Sequence, residues 1–370
     1  MITFSRLVPW LLVFWLLGPA FASAVQSEND VTVKVKVRDK SFIGKPLVWD
    51  GKEMVLLRRD GRMSILPVDS HDDYTKVADS FKPKSVSAIR DQLQKEFQGK
   101  YQVSTTKNFI VVHPYGDANV WATPFEELYQ RFKSYFTSRG ISLESPPFPM
   151  VAVVLKTRGE FDRFLKNYHD YDPSILGYYS PRSNRIITFD QNKGKSKDKS
   201  WFFSADTIVH EATHQSAFNT GLHNRFGRVP RWMSEGLAMM FEAPGVNNSN
   251  YFSRQTTRVN RGRLLQLKQL YKNNQGEGAI GNLVVSDRLF RSKPDLAYAM
   301  SWGLTFYLAE NHPQKYVEML RNDGAREDFT GYEKRQRARD FLKLYKMDMT
   351  ELEVRVKRFI LGLEVPTASR

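Results

Sequence analysis

The stretch TIVHEATHQSAFN, residues 207–219, carries two of the chain's seven histidines four positions apart. Four residues of an α-helix turn through a full circle plus about 40°, so His210 and His214 would present their imidazoles to one point. Glu211 would lie beside that point, and Gly221 is a suitable helix stop. This segment predicts a helix with the H-E-x-x-H pattern, in which two imidazoles bind Zn²⁺ and the carboxylate transfers protons.

A second segment, RVPRWMSEGLAMMFEAPG at residues 228–245, predicts a neighbouring helix that contains Glu235. A catalytic zinc commonly has two histidines and one glutamate plus a water molecule as ligands. We therefore expect one Zn²⁺ per chain on His210, His214 and Glu235. Gly236 is a poor helix former and is expected where the two helices approach closely around the metal. Hydrogen-bonded surface histidines and a partly exposed carboxylate are the competing interpretation.

The pair HEATH (210–214) and WMSEGLA (232–238) resembles the gluzincin zinc metallopeptidases. Aminopeptidase-like gluzincins carry a Trp-x-x-Glu-Gly-aromatic-Ala pattern on the third-ligand helix, and here Leu237 takes the aromatic position. The order of segments over residues 100–365 also resembles an uncharacterised family of bacterial exported proteins with a peptidase-MA-like domain. The resemblance implies an α+β fold: a zincin-like catalytic domain with a mixed sheet and an active-site helix, followed by a helical subdomain.

The resemblance further implies that a zinc-activated water hydrolyses a peptide or protein substrate. Glu211 would act as general base and then pass the proton to the leaving amine. The oxyanion of such a reaction needs a hydrogen-bond donor besides the metal. In aminopeptidase-like members that donor is a tyrosine on a later helix, and Tyr298 matches it; core packing against Trp302 is the alternative. Weaker candidates for the donor are Tyr178, Tyr179 and His223.

One position departs from the thermolysin-like pattern. Those members have an acidic residue four positions after the ligand glutamate, where this chain has Met239. The group that orients a ligand histidine would then be Asp206, Glu242 or a backbone carbonyl.

Substrate binding is expected along a sheet edge. The strand predicted over residues 184–190 would pair with an extended peptide through backbone hydrogen bonds. Arg182 and Arg185 would meet a substrate carboxylate, unless they are simply solvated.

The N-terminal residues 1–24 predict a cleaved signal peptide. Arg6 precedes an apolar run, and the small residues after it favour cleavage near Ala22 or Ala24. A retained membrane anchor is the alternative for this segment. The prediction places the mature protein in the periplasm or outside a bacterial cell, with no transmembrane segment after cleavage.

Four further segments follow. Residues 30–70 alternate apolar and polar side chains around Asp50-Gly51 and Asp60-Gly61, which predicts hairpins in a small β-barrel-like, SH3-like module. Residues 71–100 predict a linker (69–85) and a helix. Residues 101–250 predict the zincin-like α+β domain, including a helix over 124–138 with Pro124 in its first turn. Residues 251–370 predict a helical subdomain, including one helix over 336–363.

Composition limits the classes of function. The chain has no cysteine, which excludes disulfides, thiolate ligands and a cysteine nucleophile. Its formal charge of +15 predicts attraction to anionic cell-envelope polymers. The basic residues are scattered, apart from the lysine-rich run at 192–200, so no specific nucleic-acid partner is expected. A catalytically inactive zincin-fold envelope protein that binds such polymers or protein partners is the second interpretation, and the intact Glu211 argues against it.

Overall fold

The structure is a computed structural model that describes residues 25–26, 30–50, 52–67, 74–116, 118–166, 173–191, 200–248 and 254–367. The predicted signal peptide and the lysine-rich run up to residue 199 lie outside these ranges. The described chain is mixed α+β, with two sheets followed by many helices. No helix among these residues has the length and apolar character needed to span a bilayer.

The N-terminal sheet is antiparallel, with the order β5-β4-β3-β2-β6 and β1 paired to β3. Its strands are β1 (Val25–Gln26), β2 (Thr32–Val37), β3 (Lys40–Trp49), β4 (Glu53–Arg58), β5 (Met63–Pro67) and β6 (Tyr74–Ala78). Asp60-Gly61 lies between antiparallel strands as predicted, and Asp50 follows β3, whereas Gly51 lies outside the described residues. Gly61 has a φ of +83°, which a residue without a Cβ adopts readily. Val33 and Val35 are buried while Lys34 and Lys36 are exposed, as the alternation requires.

The segment predicted as a linker contains a strand. β6 pairs with β2, so the N-terminal sheet continues past residue 70. The side chains of β6 are nearly all exposed. An edge strand of this kind is held by backbone hydrogen bonds to its neighbour. Because neither of its faces is buried, its sequence shows little alternation of apolar and polar residues.

The N-terminal sheet packs on the rest of the molecule through one face. Buried Leu47, Val55 and Leu57 form an apolar cluster with Phe148 of the following domain. Arg225 crosses the same boundary: its Nε donates to Pro181 O at 2.8 Å and its Nη2 to Gly61 O at 2.6 Å. The module is therefore fixed against the domain that carries the H-E-x-x-H segment.

The second sheet has the order β10-β11-β9-β8-β7. Its strands are β7 (Gln102–Thr105), β8 (Phe109–His113), β9 (Met150–Leu155), β10 (Gly177–Ser180) and β11 (Arg185–Phe189). The central strands β8, β9 and β11 are parallel and fully buried, whereas the outer strands pair antiparallel. Such strands are expected where helices cover both faces.

Two pairs of helices cover this sheet. They are α1 (Val86–Glu96) and α3 (Arg158–Leu165) on one face, and α2 (Ala118–Thr137) and α4 (Ser200–Asn219) on the other. Ile89 and Leu93 of α1 are buried. The helix predicted over 124–138 begins at Ala118, so Pro124 lies inside it and not in its first turn. Residues 177–180 form β10.

The C-terminal part is helical. Its elements are α5 (Arg231–Phe241), α6 (Pro244–Asn247), α7 (Gln255–Arg258), α8 (Arg261–Lys272), α9 (Ala279–Val285), α10 (Leu289–Ser292), α11 (Pro294–Asn311), α12 (Pro313–Gly324), α13 (Lys334–Tyr345) and α14 (Met349–Gly362). The single helix predicted over 336–363 is two helices. Lys346 adopts a left-handed conformation with φ +52° and ends the first of them.

Candidate metal centre

Helix α4 holds the H-E-x-x-H segment against the second sheet. Ile208, Ala212 and Ala217 are buried in the core between helix and strands. Gln215 Nε2 donates to two strand-side carbonyls, Val151 O at 3.1 Å and Asn184 O at 2.9 Å. The chain leaves the helix through a left-handed residue, Gly221, at φ +72°. The histidine helix predicted from the sequence therefore exists and is fixed to a rigid sheet.

Helix α5 carries Glu235 and is buried on all sides. Gly236 does mark a close approach of helices, but the neighbour is α11 and not the histidine helix. A Cβ at Gly236 would lie 2.1 Å from Thr305 Oγ1 and 2.6 Å from Ser301 O. The prediction named the wrong partner helix, because sequence spacing alone does not show which helix returns against α5.

Three side-chain atoms from α4 and α5 converge. His210 Nε2 and His214 Nε2 are 3.1 Å apart. Glu235 Oε2 lies 3.3 Å from the first and 3.7 Å from the second. Ligands arranged tetrahedrally at zinc bond lengths of about 2.0–2.2 Å are separated by about 3.3–3.6 Å. The three separations lie within about 0.2 Å of this range, so the triangle is close in size to a three-ligand zinc site. It is the group of three potential metal ligands found among the described residues.

Glu242 orients the first histidine. Its Oε1 lies 2.7 Å from His210 Nδ1, and its Oε2 accepts a hydrogen bond from Asn260 Nδ2 at 2.6 Å. A proton held on Nδ1 by a carboxylate leaves the Nε2 lone pair free to bind a metal ion. Of the two acidic candidates for this position, Glu242 makes the contact, whereas Asp206 is exposed.

The cluster is buried and rich in carboxylates. His210, His214, Glu211 and Glu235 are each at most 1% exposed. Burial alone would lower the pKa of His210, but Glu235 and Glu242 outweigh it and raise that pKa to about 10. The same histidines and Arg231 hold the pKa of Glu235 at about 2 against its burial. Burial lowers the pKa of His214 to about 4. The surrounding carboxylates therefore favour a positive charge at His210, whereas burial disfavours one at His214.

Glu211 lies between α4 and the edge of the sheet. Burial raises the pKa of its carboxyl to about 7; the His210 charge opposes this shift and Glu235 adds to it. The backbone N–H of Tyr179 hydrogen-bonds to this carboxylate, while Oε2 has no hydrogen-bond donor among the described residues. Gly177 allows the close contact, since a Cβ there would lie 3.1 Å from Glu211 Cγ. Glu211 thus has one fixed oxygen and one available oxygen.

Tyr298 lies on α11 and is fully buried. Its hydroxyl accepts a hydrogen bond from Arg231 Nη2 at 2.8 Å. Arg231 Nε lies 3.5 Å from Glu235 Oε1, so the tyrosine reaches the ligand cluster through the arginine. The ring packs edge-on against Phe290, whereas Trp302 stacks on Phe306. Its role as an oxyanion donor stays a prediction.

The weaker donor candidates lie apart from this arrangement. Tyr179 donates its hydroxyl to Asn184 Oδ1 at 2.9 Å, and Tyr178 packs with the cluster on the α1 and α3 face of the sheet. His223 Nδ1 bonds to Asp323 Oδ2 at 2.9 Å. His223 also lines a cavity of about 620 Å³ beside the N-terminal module, whose walls do not include the three ligands.

Two predictions about the substrate edge are corrected. The strand predicted over 184–190 is β11, which pairs on both sides, so it offers no free edge. The edge strand on that side of the sheet is β10, which lies beside Glu211. Arg185 is buried and forms a bidentate ion pair with Glu96 at 2.6 and 2.9 Å. It therefore supports the fold and does not bind a substrate carboxylate. The backbone carbonyl oxygen of Arg182 accepts a hydrogen bond from the backbone N–H of Met63.

Sequence reasoning missed two residues that support the site. Arg231 precedes Glu235 by four positions and therefore shares its helix face, a spacing that could have revealed it. Asn260, which holds Glu242, comes from a separate helix start, and no local pattern connects the two.

These features define a mixed α+β protein with a buried cluster of two histidines and one glutamate. Residues 204–330, about a third of the chain, match the model of a family described as protein of unknown function (DUF1570). The match includes the three convergent residues, Glu211, Glu242 and Tyr298. No curated protein matches the chain at a significant level.

Proposed function

We propose that the protein is an exported zinc-dependent metallopeptidase of the gluzincin type. The observation that carries the proposal is the triangle of His210 Nε2, His214 Nε2 and Glu235 Oε2, with separations of 3.1, 3.3 and 3.7 Å. Two imidazoles and one carboxylate form the ligand set of catalytic zinc, which keeps a fourth position for water or substrate.

A zinc ion held by these residues would act as a Lewis acid and would make hydroxide available near neutral pH. The chain's own part in hydrolysis belongs to Glu211. A carboxyl whose pKa is about 7 accepts a proton from an attacking water and can return it to a leaving amine at the same pH. The hydrogen bond from the Tyr179 backbone fixes one oxygen, so the other oxygen performs the transfer.

The edge strand β10 supports a peptide substrate. An extended peptide that pairs with β10 by backbone hydrogen bonds would pass directly beside Glu211. This placement also supports the finer zincin-like assignment of the fold. In the N-terminal module, the order β6-β2-β3-β4-β5, in which β6 returns to pair with β2, supports the SH3-like assignment.

Export to the periplasm or beyond is supported by the signal-like residues 1–24 and by the absence of cysteine. The charge of +15 supports contact with anionic cell-envelope polymers. Neither feature requires catalysis. An inactive envelope protein with the same fold is therefore the competing function.

Zinc analysis combined with one conservative variant tests the proposal. Purified protein is expected to contain about one zinc per chain and to hydrolyse members of a mixed peptide library. Glu211→Gln is expected to keep the zinc and to lower the hydrolysis rate by about 10²–10⁴-fold, because it removes the proton acceptor. Glu127→Gln, which changes an exposed carboxylate on α2 paired with Arg131, is the matched control and should leave both quantities unchanged.

The outcomes separate the competing functions. Zinc-containing protein that cleaves no peptide, with or without Glu211, would support the inactive envelope protein. Wild-type protein that binds no zinc would contradict both the ligand assignment and the peptidase.

A further inference from the structure

Arg231 is a buried cation that the hydrolytic reaction does not itself require. It is 7% exposed and lies at the first turn of α5, one helical turn before Glu235. Its Nε is 3.5 Å from Glu235 Oε1, and its Nη2 donates to Tyr298 OH at 2.8 Å. A buried guanidinium is costly unless it is paired, so these contacts account for its presence.

The surroundings fix the guanidinium in one place. Its Cζ lies 4.6 Å from the centre of the Phe290 ring, a cation–π contact. The backbone N–H of Arg231 donates to Asp287 Oδ1 at 3.1 Å, and Asp287 is itself held by both terminal nitrogens of Arg337. The start of α5 is therefore anchored at the same residue that faces Glu235.

The two oxygens of Glu235 face different partners. Oε2 faces the two imidazoles, while Oε1 faces Arg231. The ion pair with Arg231 keeps Oε1 on the side away from the imidazoles, so Glu235 presents Oε2 alone to a metal ion and leaves a coordination position free. We propose that Arg231, supported by Tyr298, is a positioning residue that makes Glu235 a single-oxygen ligand. The inference rests on the proposed function, since it assumes that a metal binds at the triangle.

This arrangement assigns Tyr298 to the metal site through Arg231 and not to the oxyanion. The tyrosine hydroxyl accepts from the arginine fork, so its loss frees the guanidinium to turn away from Glu235. Lysine would not substitute for the arginine, because a single ammonium cannot present two donors in a fixed plane to Tyr298 and Glu235.

Zinc affinity of the full mature chain, measured by competition with a chelator, tests the proposal. Arg231→Lys and Tyr298→Phe are each expected to weaken zinc binding by about 10–100-fold, the usual effect of removing a group that orients a metal ligand. Tyr271→Phe is the matched control. It removes another buried hydroxyl of the helical subdomain, one that donates to Met300 Sδ at 3.5 Å, and should leave zinc affinity unchanged.

Cobalt substitution provides a readout that loss of stability alone would not produce. The intensity of the cobalt d–d absorption bands falls as the coordination number rises from four. If Arg231 holds Glu235 to one oxygen, the bands of Co²⁺-loaded Arg231→Lys should weaken relative to wild type, because both oxygens can then reach the metal. The bands of Tyr271→Phe should match wild type.

Unchanged zinc affinity and unchanged cobalt spectra in Arg231→Lys would overturn the proposal. A Tyr298→Phe variant with wild-type zinc affinity but a much lower hydrolysis rate would overturn it for the tyrosine and favour the oxyanion role. Failure of the proposed function differs from both results, since the wild-type chain itself would then bind no zinc or cleave no peptide.

Discussion

Two buried clusters of histidine and carboxylate lie along the C-terminal half of α4 and the turn that follows it. The ligand cluster consists of His210, His214 and Glu235. The His223 cluster consists of His223, Asp323 and Arg326, in which Asp323 Oδ2 bonds to the imidazole and Oδ1 lies 3.2 Å from the arginine. Histidine and acid are fully buried in both clusters.

The clusters differ in how their carboxylates are satisfied. Both oxygens of Asp323 have hydrogen-bond partners, and the charge of Arg326 balances its own. Neither oxygen of Glu235 accepts a hydrogen bond of normal geometry from the described residues, although Arg231 Nε forms an ion pair with Oε1 at 3.5 Å, and Glu211 and Glu242 add two more acidic groups nearby. A closed ion pair of the first kind satisfies its own charges. An acidic cluster of the second kind would need a bound cation to balance it.

Replacing one histidine in each cluster tests this difference most strongly. His214→Ala should reduce the zinc content from about one per chain to near zero, because two remaining ligands hold zinc poorly. His223→Ala should keep the zinc. It should lower the free energy of unfolding by about 1–3 kcal/mol, since Asp323 then loses a buried partner. Zinc analysis and urea unfolding measure both quantities, and equal zinc loss in the two variants would break the distinction.

A smaller effect is expected from replacing the carboxylates that hydrogen-bond to the histidines. Glu242→Gln should weaken zinc binding by about 10–100-fold, because the amide orients His210 Nε2 less firmly. Asp323→Asn makes the matched change in the His223 cluster and should leave zinc affinity unchanged while lowering stability. Chelator competition at fixed pH measures the affinity. If Asp323→Asn weakened zinc binding as much, the two clusters would act as one network.

Local patterns predicted the elements that build the site. Spacing placed His210 and His214 on one helix face, Gly221 marked where that helix ends, and a second segment predicted the helix of Glu235. These features depend on residues close together in the chain, where helix and strand periods are strict.

Long-range pairing could not be predicted in the same way. β10 is an edge strand because β11 lies between it and β9. The sequence of residues 177–190 does not show that order. The contact of Gly236 with α11 and the support of Glu242 by Asn260 also join distant segments. Each depends on how helices return against one another, which amphipathic spacing leaves open.

The smallest effect is expected from a change in the packing of α5, the helix that carries Glu235, against α11. Gly236→Ala introduces a Cβ that would lie 2.1 Å from Thr305 Oγ1 and 2.6 Å from Ser301 O, and the second of these is backbone that yields little. The variant should lose about 1–3 kcal/mol of stability through overpacking. Because α5 must then move away from α11, Glu235 shifts with it, and zinc affinity should fall several-fold while the His223 cluster stays intact.

Gly281→Ala in α9 is the matched control for this substitution. Its Cβ would lie 3.5 Å from Met349 Cβ, an ordinary contact, so the better helix propensity of alanine should raise stability by up to about 1 kcal/mol without changing zinc affinity. Thermal unfolding with and without zinc measures both variants. If Gly236→Ala proved as stable as Gly281→Ala and bound zinc equally well, the close packing of α5 on α11 would not be what holds Glu235 at the metal.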